Sequence, residues 1–98
     1  LMDTAARVIQ NTEKNQFEVE GTDGMATLTY RETPDHITLL HTEVAPELAG
    51  KGFGGVLARG ALDYARSTNR KVLVTCKFVK TYIVRHPEYQ DLLLRPID

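Results

Sequence analysis

Between His41 and Leu57 the chain reads HTEVAPELAGKGFGGVL, and glycines at 50, 52, 54 and 55 leave few folds open to it. An apolar extended run leads into Pro46, then a glycine-dense loop, then the first turn of a helix. Glycine loses more conformational entropy on folding than any other residue, so four within six positions cost stability that a plain connector need not give up. They let the backbone turn tightly and bring its N–H groups against a ligand. A helix starting there adds the partial positive charge of its N-terminus, and the combination suits an anion such as a diphosphate. Lys51, inside the loop, is either a further phosphate contact or a solvated cation.

The chain ahead of this loop reads as an antiparallel meander. Residues 7–20 (RVIQNTEKNQFEVE) predict a hairpin, with Val8 and Ile9 on one arm, Phe17 and Val19 on the other, and Asn11–Asn15 turning between them. A turn at Thr22-Asp23-Gly24 leads into Met25–Glu32, where Ala26, Leu28 and Tyr30 alternate with Thr27, Thr29 and Arg31, the period of a half-buried strand. After Thr33-Pro34-Asp35, the strand His36–Val44 places Ile37, Leu39 and His41 on one face, and Leu40 and Val44 on the other. Apolar side chains on both faces predict a central strand covered from both sides.

Beyond the loop, Phe53–Thr68 predicts an amphipathic helix. Leu57, Ala61, Tyr64 and Ala65 form its apolar stripe, and Arg59, Asp63 and Arg66 a solvated face. Lys71–Cys76 (KVLVTC) is a short apolar strand, so strand, helix and strand make a right-handed parallel crossover. Lys77–Arg85 predicts a second helix burying Phe78, Val79, Tyr82 and Ile83, ended by Pro87. Glu88–Leu94 reads as one or two further helical turns.

Gly50, Gly52 and Gly55 satisfy the spacing G-x-G-x-x-G, but the dinucleotide reading fails on its context. That fingerprint needs a parallel strand turning directly into its helix and an acid about 20 residues on. Here the preceding strands are antiparallel, Lys71–Cys76 offers no acid, and no Gly-Lys-Ser/Thr of a P-loop is present.

A different pattern fits: Val44-x-Pro46-x-x-x-Gly50-Lys51-Gly52-Phe53-Gly54-x-x-Leu57 resembles the acyl-CoA signature of the GNAT acetyltransferase superfamily. The family motif [QR]-x-x-G-x-[GA] is met by Ala49-x-x-Gly52-x-Gly54, with Ala49 where the family prefers Gln or Arg. Backbone N–H groups do most of the anion binding in such a loop, so this departure lowers affinity without removing the site. With His41-Thr42-Glu43-Val44 ahead of the loop and Cys76-x-Phe78-x-x-x-Tyr82 after it, residues 7–90 are similar to the small, single-domain GNAT-like CoA-binding proteins of the N-acetyltransferase domain-containing type.

That resemblance implies an α/β fold over residues 1–98: a minimal GNAT domain with an antiparallel meander, a strand–helix–strand crossover and a short C-terminal helix. The N-terminal helices and closing hairpin of full-sized members are expected to be missing. It further implies acetyl-CoA as cofactor and an amine, a small molecule or a protein lysine, as acceptor. Ala49, Gly50, Lys51, Gly52, Phe53, Gly54 and Gly55 would hold the pyrophosphate, and Val44 would offer its backbone to the pantetheine or the thioester carbonyl.

Taken alone, His41 is as readily a core histidine, and Cys76 a small buried hydrophobe. In the GNAT topology, however, the two strands that end near them are parallel neighbours that splay apart, which would turn both side chains into one cleft. Cys76 would then be the nucleophile, or the acid protonating the departing CoA thiolate, and His41 the base for Cys76 or for the amine. Tyr82 matches the tyrosine that larger members carry in the following helix, or is a core aromatic beside Val79; Glu43 is a base for the amine or a solvated carboxylate. The alternative function is a non-catalytic CoA-binding or protein-interaction module on the same scaffold.

Composition narrows the partners. Lys plus Arg number 12 against 13 for Asp plus Glu, a net charge of −1, without the basic excess of a nucleic-acid binder. No run approaches transmembrane length, and LMDTAARVIQ lacks the apolar core of a signal peptide, so neither a membrane nor export is expected and the cytoplasm is the default. His36, His41, His86 and Cys76 are too scattered for a zinc signature, and no metal is expected.

Overall fold

The computed structural model describes residues 7–22 and 24–97, so Asp23, placed by its neighbours in the second turn, lies outside the described residues. Five strands, β1 (Ile9–Asn11), β2 (Gln16–Gly21), β3 (Gly24–Glu32), β4 (His36–Val44) and β5 (Lys71–Val74), form one sheet in the order β1-β2-β3-β4-β5. The first four pair antiparallel, and β5 joins β4 in parallel from His36↔Lys71 to Leu39↔Val74. Helix α1 (Phe53–Ser67) makes the crossover between them, and α2 (Lys77–Arg85) follows β5. No helix among the described residues is long and apolar enough to cross a membrane.

Alternation builds the core as expected. Phe17, Val19, Ala26, Leu28 and Tyr30 are buried, while their neighbours Glu18, Thr27 and Thr29 lie on the other face. Asn15 turns the first hairpin with φ 52°, a left-handed conformation that asparagine tolerates, and Asn11 Oδ1 accepts from Lys14 N–H at 3.1 Å. Leu57, Ala58, Ala61, Leu62 and Ala65 of α1 cover the sheet, and burying each large aliphatic chain contributes roughly 2 kcal/mol. The helix ends in a Schellman motif: Asn69, at φ 60°, donates to Arg66 O (3.2 Å) and Arg70 to Ala65 O (2.9 Å).

Strand β4 departs from the expected facing. Thr29 pairs with His41 but Tyr30 pairs with Leu39, so Leu40 is an extra residue, a β-bulge. Ile37 and Leu39 stay in the core, and from the bulge onward the alternation inverts: Thr42 and Val44 turn inward opposite Leu28 and Ala26, while His41 and Glu43 turn outward. Among the described residues the sheet is therefore packed by helices on one face only. Leu40, read as a sign of cover on both faces, is partly buried on a face lined mostly by threonines and charged residues, with Met25 and Leu73 among them.

The C-terminal segment is a 3-10 helix (Pro87–Leu92), where α-helical turns were expected. It docks on the face of α1 read as merely solvated. Asp63 accepts from the Tyr89 hydroxyl at 3.0 Å, and Arg66 grips both carboxylate oxygens of Asp91 at 2.9 Å. Arg59, Asp63 and Arg66 do remain exposed, but two of the three hold the tail.

Candidate functional site

After β4, Pro46–Leu48 forms one 3-10 turn, and the chain then needs two left-handed residues to enter α1. Gly50 (φ 77°) and Gly52 (φ 86°) supply them. The first intrahelical bond runs from Val56 N–H to Gly52 O at 3.2 Å. By helix geometry the N–H groups of Phe53, Gly54 and Gly55, ahead of it, have no acceptor in the helix.

These groups border a cleft of about 460 Å³. Ala49, Gly50, Gly52, Phe53, Gly54 and Gly55 form one wall, with Thr42, Val44, Leu48 and Phe78 opposite. Seven residues expected from the sequence thus line one recess: Val44 and the six of the loop. Lys51 is exposed and stands outside the lining. Phe78, predicted to be buried, is 45% exposed because its ring lies over Gly54 at the cleft wall; a Cβ on Gly54 would meet its Cζ at 2.7 Å. Thr42 and Leu48 carry no motif that marks them in the sequence: Thr42 owes its place to the inward parity after the bulge, and Leu48 to the 3-10 turn that follows β4.

The cleft leads to the place where β4 and β5 part. Thr75 and Cys76 both donate their N–H to Leu39 O (3.0 and 3.3 Å), and Thr75 Oγ1 donates to Leu40 O at 3.2 Å. There β5 turns away into α2, with Cys76 as its N-cap residue, while β4 runs on to Val44. Ala45 N–H bonds Met25 O at 3.2 Å. In an antiparallel ladder the intervening Val44 then turns its own N–H and C=O away from β3, toward the open gap.

Cys76, buried, does not meet His41 there. Its Sγ lies 3.2 Å from Thr42 Oγ1, and His41 points to the opposite face, where its Nε2 stands 3.7 Å from Glu43 Oε2 with its side chain 67% exposed. The bulge at Leu40 is the cause: it exchanges Thr42 for His41 on the core face. The expected Cys76–His41 pairing is replaced by Cys76–Thr42.

Tyr82 is likewise displaced from the cleft lining. It stacks on His86, centroids 3.9 Å apart, in the seam between α1 and α2, within 3.6 Å of where a Gly55 Cβ would stand. Burial pushes its hydroxyl pKa up, Arg59 opposes, and Asp63 and Glu88 add to the rise. The His86 ring is fixed in turn by Nδ1 at 2.8 Å from Tyr82 O.

Comparison with known proteins places this geometry. The chain is 33% identical to the mouse protein NATD1 over 89 residues, covering 88% of this chain and 81% of that one. Human NATD1 is also 33% identical, covering 88% and 79%. The solution structure of a GCN5-like protein from Staphylococcus aureus superposes with a TM-score of 0.70 at 28% identity, over 97% of this chain and 94% of the other. The sequence profile of the GCN5-related N-acetyl-transferases matches residues 16–92, nearly the whole meander, crossover and tail. With sheet order, glycine loop and strand gap all in agreement with it, the chain belongs to the GCN5-related N-acetyltransferase family.

Proposed function

We propose that this protein binds acetyl-CoA and transfers the acetyl group to an amine. The observation that carries the reading is the continuous cleft from the glycine loop to the Thr42–Cys76 contact. Its residues fit the ligand: helix-terminal N–H groups without helical acceptors suit a pyrophosphate, and the bare Gly54 lets the Phe78 ring lie close against the loop, so that it does not stand out into the cleft. When bound, acetyl-CoA supplies an activated thioester. Val44 offers its backbone N–H at the gap, as donor to the pantetheine arm or to the thioester carbonyl.

In the transfer the amine nitrogen bonds to the acetyl carbon, the carbon–sulfur bond breaks, and one amine proton leaves. His41 and Glu43, exposed together on the far side of β4, are placed to take that proton from an amine arriving over the open face of the sheet. Cys76, oriented by Thr42, serves as proton donor to the departing thiolate or as a transient acetyl carrier.

The test is the melting temperature against CoA, acetyl-CoA and NAD as a dinucleotide control. A ligand at 100 times its Kd adds about 2.7 kcal/mol, several degrees for a domain of this size. A rise with both CoA forms but not NAD, followed by acetylation of an amine panel read by mass, is the expected result. CoA binding without transfer to any amine would establish the non-catalytic module instead. No rise at millimolar ligand would overturn the reading.

A further inference from the structure

A second recess, of about 490 Å³, opens on the other side of the same strand ends. Leu73 and Thr75 of the β5 segment form its floor, Lys80 of α2 one side, and Leu93, Arg95 and Ile97 of the tail the other. The tail is held there by Leu94 N–H on Val72 O at 2.9 Å and by the parallel bridge between Val72 and Leu93. Thr75 reaches Leu40 O at the point where β4 and β5 part, while the next residue, Cys76, meets Thr42, which lines the glycine cleft. The two recesses therefore back onto opposite sides of the single step Thr75–Cys76. This one opens on the side to which Leu40 and His41 turn.

Among the described residues its charge is one-signed: Lys80 and Arg95 line it, no carboxylate does, and neither cation has an acidic partner within 4.0 Å. Three other cations are engaged. Arg66 holds Asp91, Arg70 reaches Glu32 and the Thr33 carbonyl, and Lys71 donates to Asp91 O. Two cations lining a partly apolar recess, with no acidic partner among the described residues, focus a positive potential on it and recognise an anion brought from outside.

We propose that this recess is the acceptor site and that the acceptor is a primary amine carrying an anionic group, a carboxylate or a phosphate ester. Lys80 and Arg95 hold the anion, and the amine end reaches back over Thr75 to the strand gap beside His41. The proposal rests on the acetyl-transfer reading for its chemistry, while the recess itself can be tested without turnover.

The experiment is an amide-resolved NMR titration of the full chain with γ-aminobutyrate, O-phosphoethanolamine and n-butylamine, and separately with CoA. At least one anionic amine is expected to shift Thr75, Lys80 and Leu93–Ile97 in a saturable way, with butylamine at least tenfold weaker; which of the two binds tells carboxylate from phosphate. The double variant Lys80→Gln, Arg95→Gln should keep the remaining spectrum and lose these shifts. Equal binding of butylamine, undiminished binding by the double variant, or silence of these amides with all three amines overturns the proposal. CoA shifts at Gly50–Gly55 report on the other reading: silence there with a responsive recess sinks acetyl transfer and leaves an anion site. A CoA response with a silent recess sinks this proposal alone.

Discussion

Thr42 Oγ1 and Cys76 Sγ meet at 3.2 Å across the gap between β4 and β5, joining two residues 34 positions apart at the end of the glycine-lined cleft. Thr42→Val removes the hydroxyl while keeping the shape, and is expected to cost about 1 kcal/mol. In a double-mutant cycle with Cys76→Ala, the two losses should fall short of their sum by a similar amount, because each breaks the same contact. Cys76→Ala should abolish acetyl transfer and keep the CoA-induced rise in Tm. Unchanged turnover would remove Cys76 from the chemistry.

Gly52 and Gly54 should separate backbone strain from ligand room. Gly52→Ala forces an L side chain to φ 86°, with an expected loss of roughly 1–2 kcal/mol. Gly54 sits in a helical first turn, where alanine is intrinsically better by up to about 1 kcal/mol, and the half-exposed Phe78 ring can swing off the new methyl. Gly54→Ala is thus expected to melt within a few degrees of the parent while binding CoA more weakly, since the methyl displaces the Phe78 ring that lines the cleft. Paired thermal melts and CoA titrations check both, and a Gly54→Ala chain that binds CoA unchanged would show that the ligand avoids this wall.

Alkaline unfolding should carry the signature of Tyr89. Burial, then the hydrogen bond to Asp63, pushes its hydroxyl pKa up to about 12 from the ordinary 10.0. The folded chain keeps a proton that the unfolded chain releases, so the stabilisation is complete below about pH 10 and is lost as pH rises toward 12. Tyr89→Phe should flatten the fall in denaturation midpoint over that interval. Tyr30 and Tyr82, raised in the same direction mainly by burial, leave a residual slope.

The Arg66–Asp91 clamp should govern the tail locally. The Arg66 guanidinium holds the Asp91 carboxyl below its usual range, so this contribution is present above the ordinary carboxylate pKa and lost as pH falls beneath it. Both side chains are substantially exposed, so the global melt should hardly move on Arg66→Gln. Hydrogen exchange at Leu93 and Leu94, whose amides bond Gln90 O and Val72 O, should instead become faster. Exchange unchanged at both amides would show that the tail is held without this clamp.

What the residues disclose in advance is whatever depends on local pattern. Ala26, Leu28 and Tyr30 announce a half-buried strand, and the glycines at 50 and 52 announce left-handed turns, because periodicity and φ are properties of neighbours in sequence. The bulge leaves no such trace. Leu40 is apolar and sits where a central strand covered on both faces would carry it, so His41 was assigned the face that Thr42 occupies. Phe78 at helical spacing from Tyr82 reads as core, yet Gly54 draws its ring to the cleft wall. The partners of Asp63 and Arg66 lie 26 and 25 residues on, a separation at which only the folded chain shows which charges meet.

The extra residue in β4 has a further consequence, for changes of length. Everything from His41 to Val44 takes its facing from a count of residues after Ile37, and one deletion at Leu40 would restore plain alternation. That one loss would leave His41 outward and Thr42 facing Cys76, whereas losing a residue between His41 and Glu43 would reverse the facing of those beyond it, with no residue type altered. The segment 36–44 should therefore accept many substitutions and, apart from loss of Leu40, almost no insertions or deletions, and chain-length differences among relatives should collect in the turns at 12–15 and 33–35. In this strand spacing constrains the fold more strictly than identity.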